Sequence, residues 1–285
     1  MLLCQESTLL RIHYGRHFTT KFYGKRVTIY SVEFAITAVQ AAKLAKAVRW
    51  TDFYPPRAII DAMRDRTRAR QLAAEFNRKG DPTGWFETLY QEGEAGKSVI
   101  PWANLCPNSR LLDFWNAHPL PTAGKKALTI GCGLGDDAEQ LAAWGFQTTA
   151  FDISETAIRA SHKRFPATKV EYLAANLLDP PSTWRRAFQF VFEANTLQVL
   201  PAGLRARAIE KIAEFLRPSG LLLVIARGRE PSDPEGQVPW PITRAELSAF
   251  TAVGLEELSF EDFLDLEDPG EPAVRRFRIL YRFTA

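Results

Sequence analysis

From residue 127 onward the hydrophobic pattern switches repeatedly between short apolar runs and stretches with apolar positions three and four apart. Runs at 127–130, 147–151, 170–174, 188–192 and 221–226 read as strands, and the stretches 136–144, 154–165 and 202–216 read as helices. Ser154 is placed to cap the second of these helices, and Pro218-Ser219-Gly220 closes the third. Apolar strands in strict alternation with helices predict a mostly parallel sheet covered on both faces, an α/β fold. The tail differs in kind. A helix over 243–252 ends at Gly254, and runs at 255–263 and 274–283 flank an acidic, proline-containing loop at 265–272. Two strands joined without a helix predict an antiparallel hairpin.

Upstream, the pattern predicts a helix over 32–48, a break at Tyr54-Pro55-Pro56, an Arg-rich helix over 63–77, a turn at Gly80-Asp-Pro-Thr-Gly84, a short aromatic helix over 85–90 and a helix over 111–117. The chain of 285 residues carries a formal charge of +3, too even a balance to suggest nucleic acid. Its positive excess is local. Residues 1–62 hold nine Lys/Arg against four Asp/Glu, leaving 27 against 29 in the remainder. The reading is a basic N-terminal extension over 1–62, outside the functional fold or akin to a transit segment, followed by one domain over 63–285. Three cysteines without a C-x-x-C pair suit a reducing compartment, with cytoplasm as the expectation. The 32–48 stretch is interrupted by Glu33, Gln40, Lys43 and Lys46, so no membrane span is expected. His13 and His17 share helical spacing but have no companion ligand, and no metal site is read there.

The strand at 127–130 runs into Gly131-Cys-Gly133-Leu-Gly135-Asp136-Asp137. Glycines at the first turn between strand and helix let backbone approach a nucleoside cofactor. The dinucleotide fingerprint wants G-x-G-x-x-G, whereas here the third glycine comes one residue early and Asp136 stands at the final position. Two carboxylates at a helix N-terminus suit the helix dipole and repel a diphosphate. A cofactor with a cationic centre and no phosphate, such as S-adenosylmethionine, fits better. Gly93-Glu-Ala-Gly96-Lys97-Ser98 imitates a phosphate loop, but Gln91 occupies the position of its first glycine and no strand precedes it.

In such sheets ligands bind beyond the carboxyl ends of the strands. Asp152 ends the second strand, nineteen positions after Gly133, where a carboxylate can accept from both ribose hydroxyls or cap the next helix. Asn176, past the third strand, suits either adenine or a turn. Glu193 and Asn195, at the fourth strand's end, are the candidate catalytic groups; the alternative for Glu193 is a salt bridge to an arginine. Two Pro-Trp pairs in loops, at Trp102 and Trp240, read as pocket walls whose aromatic faces attract a sulfonium.

Asp81-Pro-Thr-Gly-Trp85-Phe, Ile100-Pro-Trp102, Gly131-Cys-Gly-Leu-Gly-Asp-Asp-Ala138, Phe151-Asp-Ile-Ser154, Phe192-Glu193 and Gly236-Gln-Val-Pro-Trp240 together resemble the thiopurine S-methyltransferase and thiol/halide methyltransferase superfamily of class I enzymes. The resemblance spans roughly residues 73–285. It implies a Rossmann-like sandwich with a mostly parallel seven-stranded sheet ending in an antiparallel hairpin, and S-adenosylmethionine as cofactor. Carried over, Trp85 and Trp102 would cover the cofactor, Gly131 and Gly133 would pass under its methionine part, Asp152 with Ile153 would hold the ribose, Asn176 would lie near adenine, and Glu193 would border the methyl. Trp240 would line the acceptor pocket. Thr129, Asn176 and Gln189 depart from acids common in such enzymes. The function implied is methyl transfer to a small acceptor, a thiol or other soft nucleophile, by a monomer. The alternatives are a nicotinamide-dependent oxidoreductase, which Asp136 and the antiparallel ending oppose, and a catalytically silent methyltransferase-like binding protein.

Overall fold

The alternating pattern after residue 126 folds into one twisted sheet in the computed structural model, which describes residues 10–11, 18–22, 25–29, 35–36, 65–266 and 273–284. The chain divides into two compact units, Met1–Ile60 and Asp61–Ala285. In the first unit, β1 (Leu10–Arg11) pairs antiparallel with β4 (Ala35–Ile36), and β2 (Phe18–Phe22) with β3 (Lys25–Ile29). Ala35–Ile36 form a strand where a helix over 32–48 was expected; the rest of that stretch lies outside the described residues. His13, His17 and the Tyr54-Pro55-Pro56 break lie outside the described residues.

In the second unit the elements are α1 (Thr67–Arg78), α2 (Trp85–Glu94), α3 (Ser109–Ala117), β5 (Lys126–Ile130), α4 (Asp136–Ala143), β6 (Gln147–Asp152), α5 (Glu155–Arg164), β7 (Glu171–Ala174), β8 (Phe188–Ala194), α6 (Ala202–Phe215), β9 (Leu216–Arg229), β10 (Ile242–Thr243), α7 (Arg244–Ala252), β11 (Leu255–Asp265) and β12 (Val274–Phe283). The strand order is β11-β12-β9-β8-β5-β6-β7, and the short β10 adds beside β9. β5 to β9 pair parallel, while β12 runs antiparallel between β9 and β11. The expected sheet is therefore present, with its last two strands inserted in reverse order.

Alternation along β8 and β9 sends side chains to two different cores. Phe190, Phe192, Leu223 and Ile225 pack with Leu111 and Phe114 of α3 and Leu141 of α4. Val191, Leu222, Val224 and Ala226 pack on the opposite face with Ile209 and Ile212 of α6 and Phe250 of α7. Fully buried central strands explain why their sequences read as continuous apolar runs.

The turn expected at Pro218-Ser-Gly220 is instead a bulge inside β9. Phe188 pairs with Leu216 and Phe190 with Leu221, so extra residues loop out on one side. Gly220 sits there because an added Cβ would lie 2.8 Å from the Arg217 carbonyl and 3.0 Å from that of Phe188. At the far edge, opposite charges line up across the hairpin, Glu256 with Arg282 and Glu261 with Arg278, each at 2.6 Å. Exposed pairs add little stability, but a one-residue slip would misplace all of them, so they mark the register.

α7 begins with a reciprocal cap: Thr243 Oγ1 accepts from Glu246 N at 3.2 Å, and Glu246 Oε2 accepts from Thr243 N at 2.8 Å. Glu246 Oε1 also pairs with Arg205 of α6, a buried guanidinium. Glu246→Ala should therefore cost about 2 kcal/mol or more in urea unfolding, because it removes the cap and strands a buried cation. A loss under about 0.5 kcal/mol would contradict this account.

Candidate functional site

All five parallel strands end at the same edge, and the loops that leave them meet there. After β5 the chain turns through Gly131 and Gly133 with φ of 59° and 54°, left-handed values that suit residues without Cβ. A Cβ on Gly131 would sit 2.5 Å from Thr196 Oγ1, in the loop after β8; one on Gly133 would sit 3.1 Å from the Tyr90 hydroxyl on α2. The glycines thus bring three separate segments to one backbone turn.

Asp152, 6% exposed at the end of β6, ties that turn in place. Its Oδ2 accepts from Gly133 N at 2.9 Å and its Oδ1 from Ser154 N at 3.0 Å. The side chain thus organises the turn into α5, as the capping alternative expects, and ties it to the glycine loop. Burial outweighs these bonds and pushes its carboxyl up to about 6. Ser154 caps α5 as expected, accepting from Ala157 N at 3.0 Å.

Over this loop lie α2 and the segment after it. Glu87 of α2 accepts from Ser154 Oγ and Thr156 Oγ1, each at 2.6 Å, and from Thr156 N at 3.2 Å. A carboxylate suits this place at the positive end of α5. Burial pulls Glu87 upward, yet the bonds from Ser154 and Thr156 prevail and leave it below the ordinary glutamate value. Trp102 Nε1 donates to the Tyr90 hydroxyl at 2.8 Å, so the indole, 36% exposed, stands beside the hydroxyl that faces Gly133.

Glu193, in the last turn of β8, is fully buried. Its Oε1 accepts from Thr196 N at 2.6 Å and Leu197 N at 3.0 Å; its Oε2 is buried without a hydrogen-bond partner in the protein. No arginine pairs with it among the described contacts, so the salt-bridge alternative does not describe it. Burial raises its carboxyl to about 7.

A family model described as a methyltransferase domain matches residues 127–220, from β5 into β9. A probable thiol methyltransferase of Arabidopsis thaliana is 26% identical over 197 residues, covering 68% of this chain and 83% of the relative. A thiopurine S-methyltransferase of Vibrio atlanticus is 21% identical, covering 57% and 80%. In fold, the chain is similar to the 1,6-didemethyltoxoflavin-N1-methyltransferase of Burkholderia thailandensis, solved with 1,6-didemethyltoxoflavin and S-adenosylhomocysteine bound: TM-score 0.57, 16% identity, 76% of this chain and 91% of that one. Together these matches support a class I S-adenosylmethionine-dependent methyltransferase.

The other candidate residues differ in how far they lie open to a ligand. Trp85 is fully buried, stacked on Phe86 at 3.8 Å and edge-on to Trp102 at 6.0 Å. It supports Trp102 from behind and has no face open to a ligand. Asn176 is exposed, and its Oδ1 accepts from Leu178 N at 2.9 Å, the turn alternative. Ile153 is half-buried beside Asp152. Asn195 has a left-handed φ of 67°, and its Oδ1 accepts from Gln198 Nε2 at 3.1 Å and Arg276 Nη1 at 3.0 Å. That oxygen is committed to a network within the protein. Trp240 is half-buried, packs with Trp85, Leu89 and Val199, and its N donates to Gln198 O at 2.7 Å.

The acid pair of the glycine loop also needs correcting. Asp136 is held by both Nη atoms of Arg164 at 2.7 Å, and Asp137 Oδ1 accepts from Asn108 N at 2.6 Å while burial lifts its carboxyl to about 6. Neither is a bare charge facing a ligand, so their repulsion of a diphosphate is weaker than the sequence implies. Among the departures, Gln189 accepts from Lys126 N at 2.7 Å at the opposite end of the sheet, away from the loops. Thr129 is buried near them with an unpartnered Oγ1. Cys132, half-buried in the glycine loop, has its thiol pushed well up by desolvation and Asp152, which makes it a poor nucleophile. Among the described residues no group of His, Cys, Asp or Glu could hold a metal.

Sequence reasoning missed Glu87, Tyr90 and Gln198. Their partners lie far away in the chain, and only the spacing of Tyr90 from Trp85, with both on a short aromatic helix, offered a signal. Glu87→Ala should release α2: hydrogen exchange of the 85–94 amides should speed at least tenfold, with β5 and β8 unchanged. Equal protection in both proteins would show that α2 docks without Glu87.

Proposed function

We propose that the protein methylates a small acceptor, most favourably a thiol or similarly soft nucleophile, in the space walled by Trp102, Trp240 and the loop after β8. The observation that carries this reading is the Asp152 arrangement, a buried carboxylate fastened to a glycine turn at the strand ends. The relatives' names supply the preference for sulfur.

The residues present fit an adenosyl sulfonium. Gly131 and Gly133 keep side chains away from the turn over which a methionine part would lie, Asp152 would accept from ribose hydroxyls with Ile153 beside it, and Trp102 offers an aromatic face to a cation. Asn176 would meet adenine only through its amide nitrogen. When bound, S-adenosylmethionine supplies an electrophilic methyl on a positively charged sulfur. A thiolate needs alignment and exclusion of water more than it needs a base. For an acceptor that must lose a proton, Glu193 Oε2 is the group to receive it, with a carboxyl poised near 7. Asn195 acts by positioning, through its bonds to Gln198 and Arg276. Cys106 and Cys132 are free thiols, which suits a reducing compartment such as cytoplasm. No helix among the described residues is long and apolar enough to cross a membrane.

Calorimetry with S-adenosylhomocysteine tests the reading. Tight binding is expected, with none of NADH, and Asp152→Ala should weaken it at least tenfold. Ribose hydroxyls donate to the charged carboxylate, so affinity should rise with pH through about 6 and level off above it, and Asp152→Asn should flatten the curve. NADH binding without S-adenosylhomocysteine would refute the assignment.

Turnover divides the role of Glu193 in the same way. With a phenol acceptor the rate should climb as pH rises through about 7 and collapse in Glu193→Gln, whereas with an aryl thiol, which ionises without a base, the two proteins should show the same profile. Equal pH profiles for phenol in both proteins would remove Glu193 from proton transfer.

A further inference from the structure

One group of charged side chains at the strand ends is not used by methyl transfer itself. β9 and β12 pair so that Arg227 stands directly opposite Arg276. Residues opposite one another in an antiparallel pair project from the same face, and like charges there oppose sheet formation. The face is the one on which Ile225 packs with Leu111 and Phe114 of α3, so both guanidiniums lie on the side of the sheet covered by the N-terminal helices. Arg276 is 7% exposed and Arg227 is half-buried.

Two more arginines reach the same place from those helices. Arg70 of α1 donates through Nε to the Val238 carbonyl at 3.1 Å, in the loop that carries Trp240. Arg110 of α3 pairs with Asp265, whose Oδ2 also accepts from Arg276 Nε at 3.0 Å. Arg276 Nη1 in turn donates to Asn195, so the group is joined to the loop after Glu193. Burial lowers the proton affinity of Arg227, with Arg70 adding to it, and that of Arg276 to about 10, with Arg227 adding to it. The cations are therefore close enough to feel one another.

From this we infer that the acceptor carries a carboxylate, bound between Arg227, Arg276 and Arg70 with its nucleophilic atom directed to the Glu193 end of β8. The inference rests on the methyltransferase reading above and names its substrate class. It needs no idle guanidinium. Each arginine has five N–H donors in a planar fork, enough to keep an internal partner and grip a carboxylate as well. Four elements, α1, α3, β9 and β12, converge their basic side chains on the one edge where the acceptor must sit.

The test uses the full chain saturated with S-adenosylhomocysteine, into which benzoate and benzamide are titrated by calorimetry, together with turnover of 4-mercaptobenzoate and 4-mercaptobenzamide. The carboxylate should be preferred about tenfold or more in each pair. In Arg227→Gln and Arg276→Gln that ratio should fall toward one, with Arg227→Lys intermediate. Retained S-adenosylhomocysteine binding certifies that a variant is folded. Should the Arg276 variant fail that control, Arg70→Gln, on the helix surface, decides by the same ratio. Cofactor-product binding with no preference for the carboxylate, no measurable binding of benzoate, or a ratio unmoved by the Arg227 and Arg70 substitutions would overturn the inference alone. Absence of S-adenosylhomocysteine binding would overturn the underlying reading and this one with it.

Discussion

The bond from Gly133 N to Asp152 Oδ2 is the contact on which the loops at the strand ends of this protein depend. A carboxylate taken out of water must be compensated, and at the end of β6 the nearest donors are backbone amides of its own turn and of the neighbouring glycine loop. Satisfying that one side chain fixes the spacing of two loops that leave adjacent parallel strands. The left-handed glycines follow from it, since a turn this close to Thr196 and Tyr90 has no room for Cβ. The residual cost of burial remains visible in a carboxyl lifted to about 6.

Successive layers are built on this tie by the same rule, a charge placed where backbone or hydroxyl donors are already waiting. Glu87 fills the open end of α5 and so brings α2 and Tyr90 across the glycine loop. Glu193 receives the first amides of the loop after β8 and keeps one oxygen in reserve. Asn195, in a backbone conformation that few side chains tolerate, joins that loop to Gln198 and to Arg276 of the hairpin. One set of hydrogen bonds thus ties these elements together, and loosening α2, a strand-end carboxylate or the hairpin would be felt at one place.

Where the sequence and the structure part company, the cause is distance along the chain. The glycine loop, Asp152, Ser154 and Glu193 are each legible because their meaning is local, given by a strand before them and a helix or turn after. Trp85 misleads because an aromatic beside a turn looks the same whether it faces a ligand or a core, and only its stacking on Phe86 and contact with Trp102 distinguish them. Asp136 misleads for the converse reason: its charge is plain in the sequence, but Arg164, which neutralises it, is twenty-eight residues away. The Pro-Ser-Gly segment reads as a stop, yet the strand continues through it because a bulge satisfies the same local preference within the ladder.

The sequence by itself determined the fold class, the parallel sheet with its antiparallel ending, and the glycine turn and carboxylates at the strand ends, because hydrophobic period and glycine position are properties of neighbouring residues. Tertiary structure alone decided which polar side chains are spent on the framework and which remain for chemistry. Asn195 and Asp136 were drawn into internal bonds, Glu193 kept a buried oxygen, and Arg227 came to lie opposite Arg276. The pairings of Asp136 with Arg164 and of Asn195 with Arg276 span 28 and 81 residues, which no local pattern encodes.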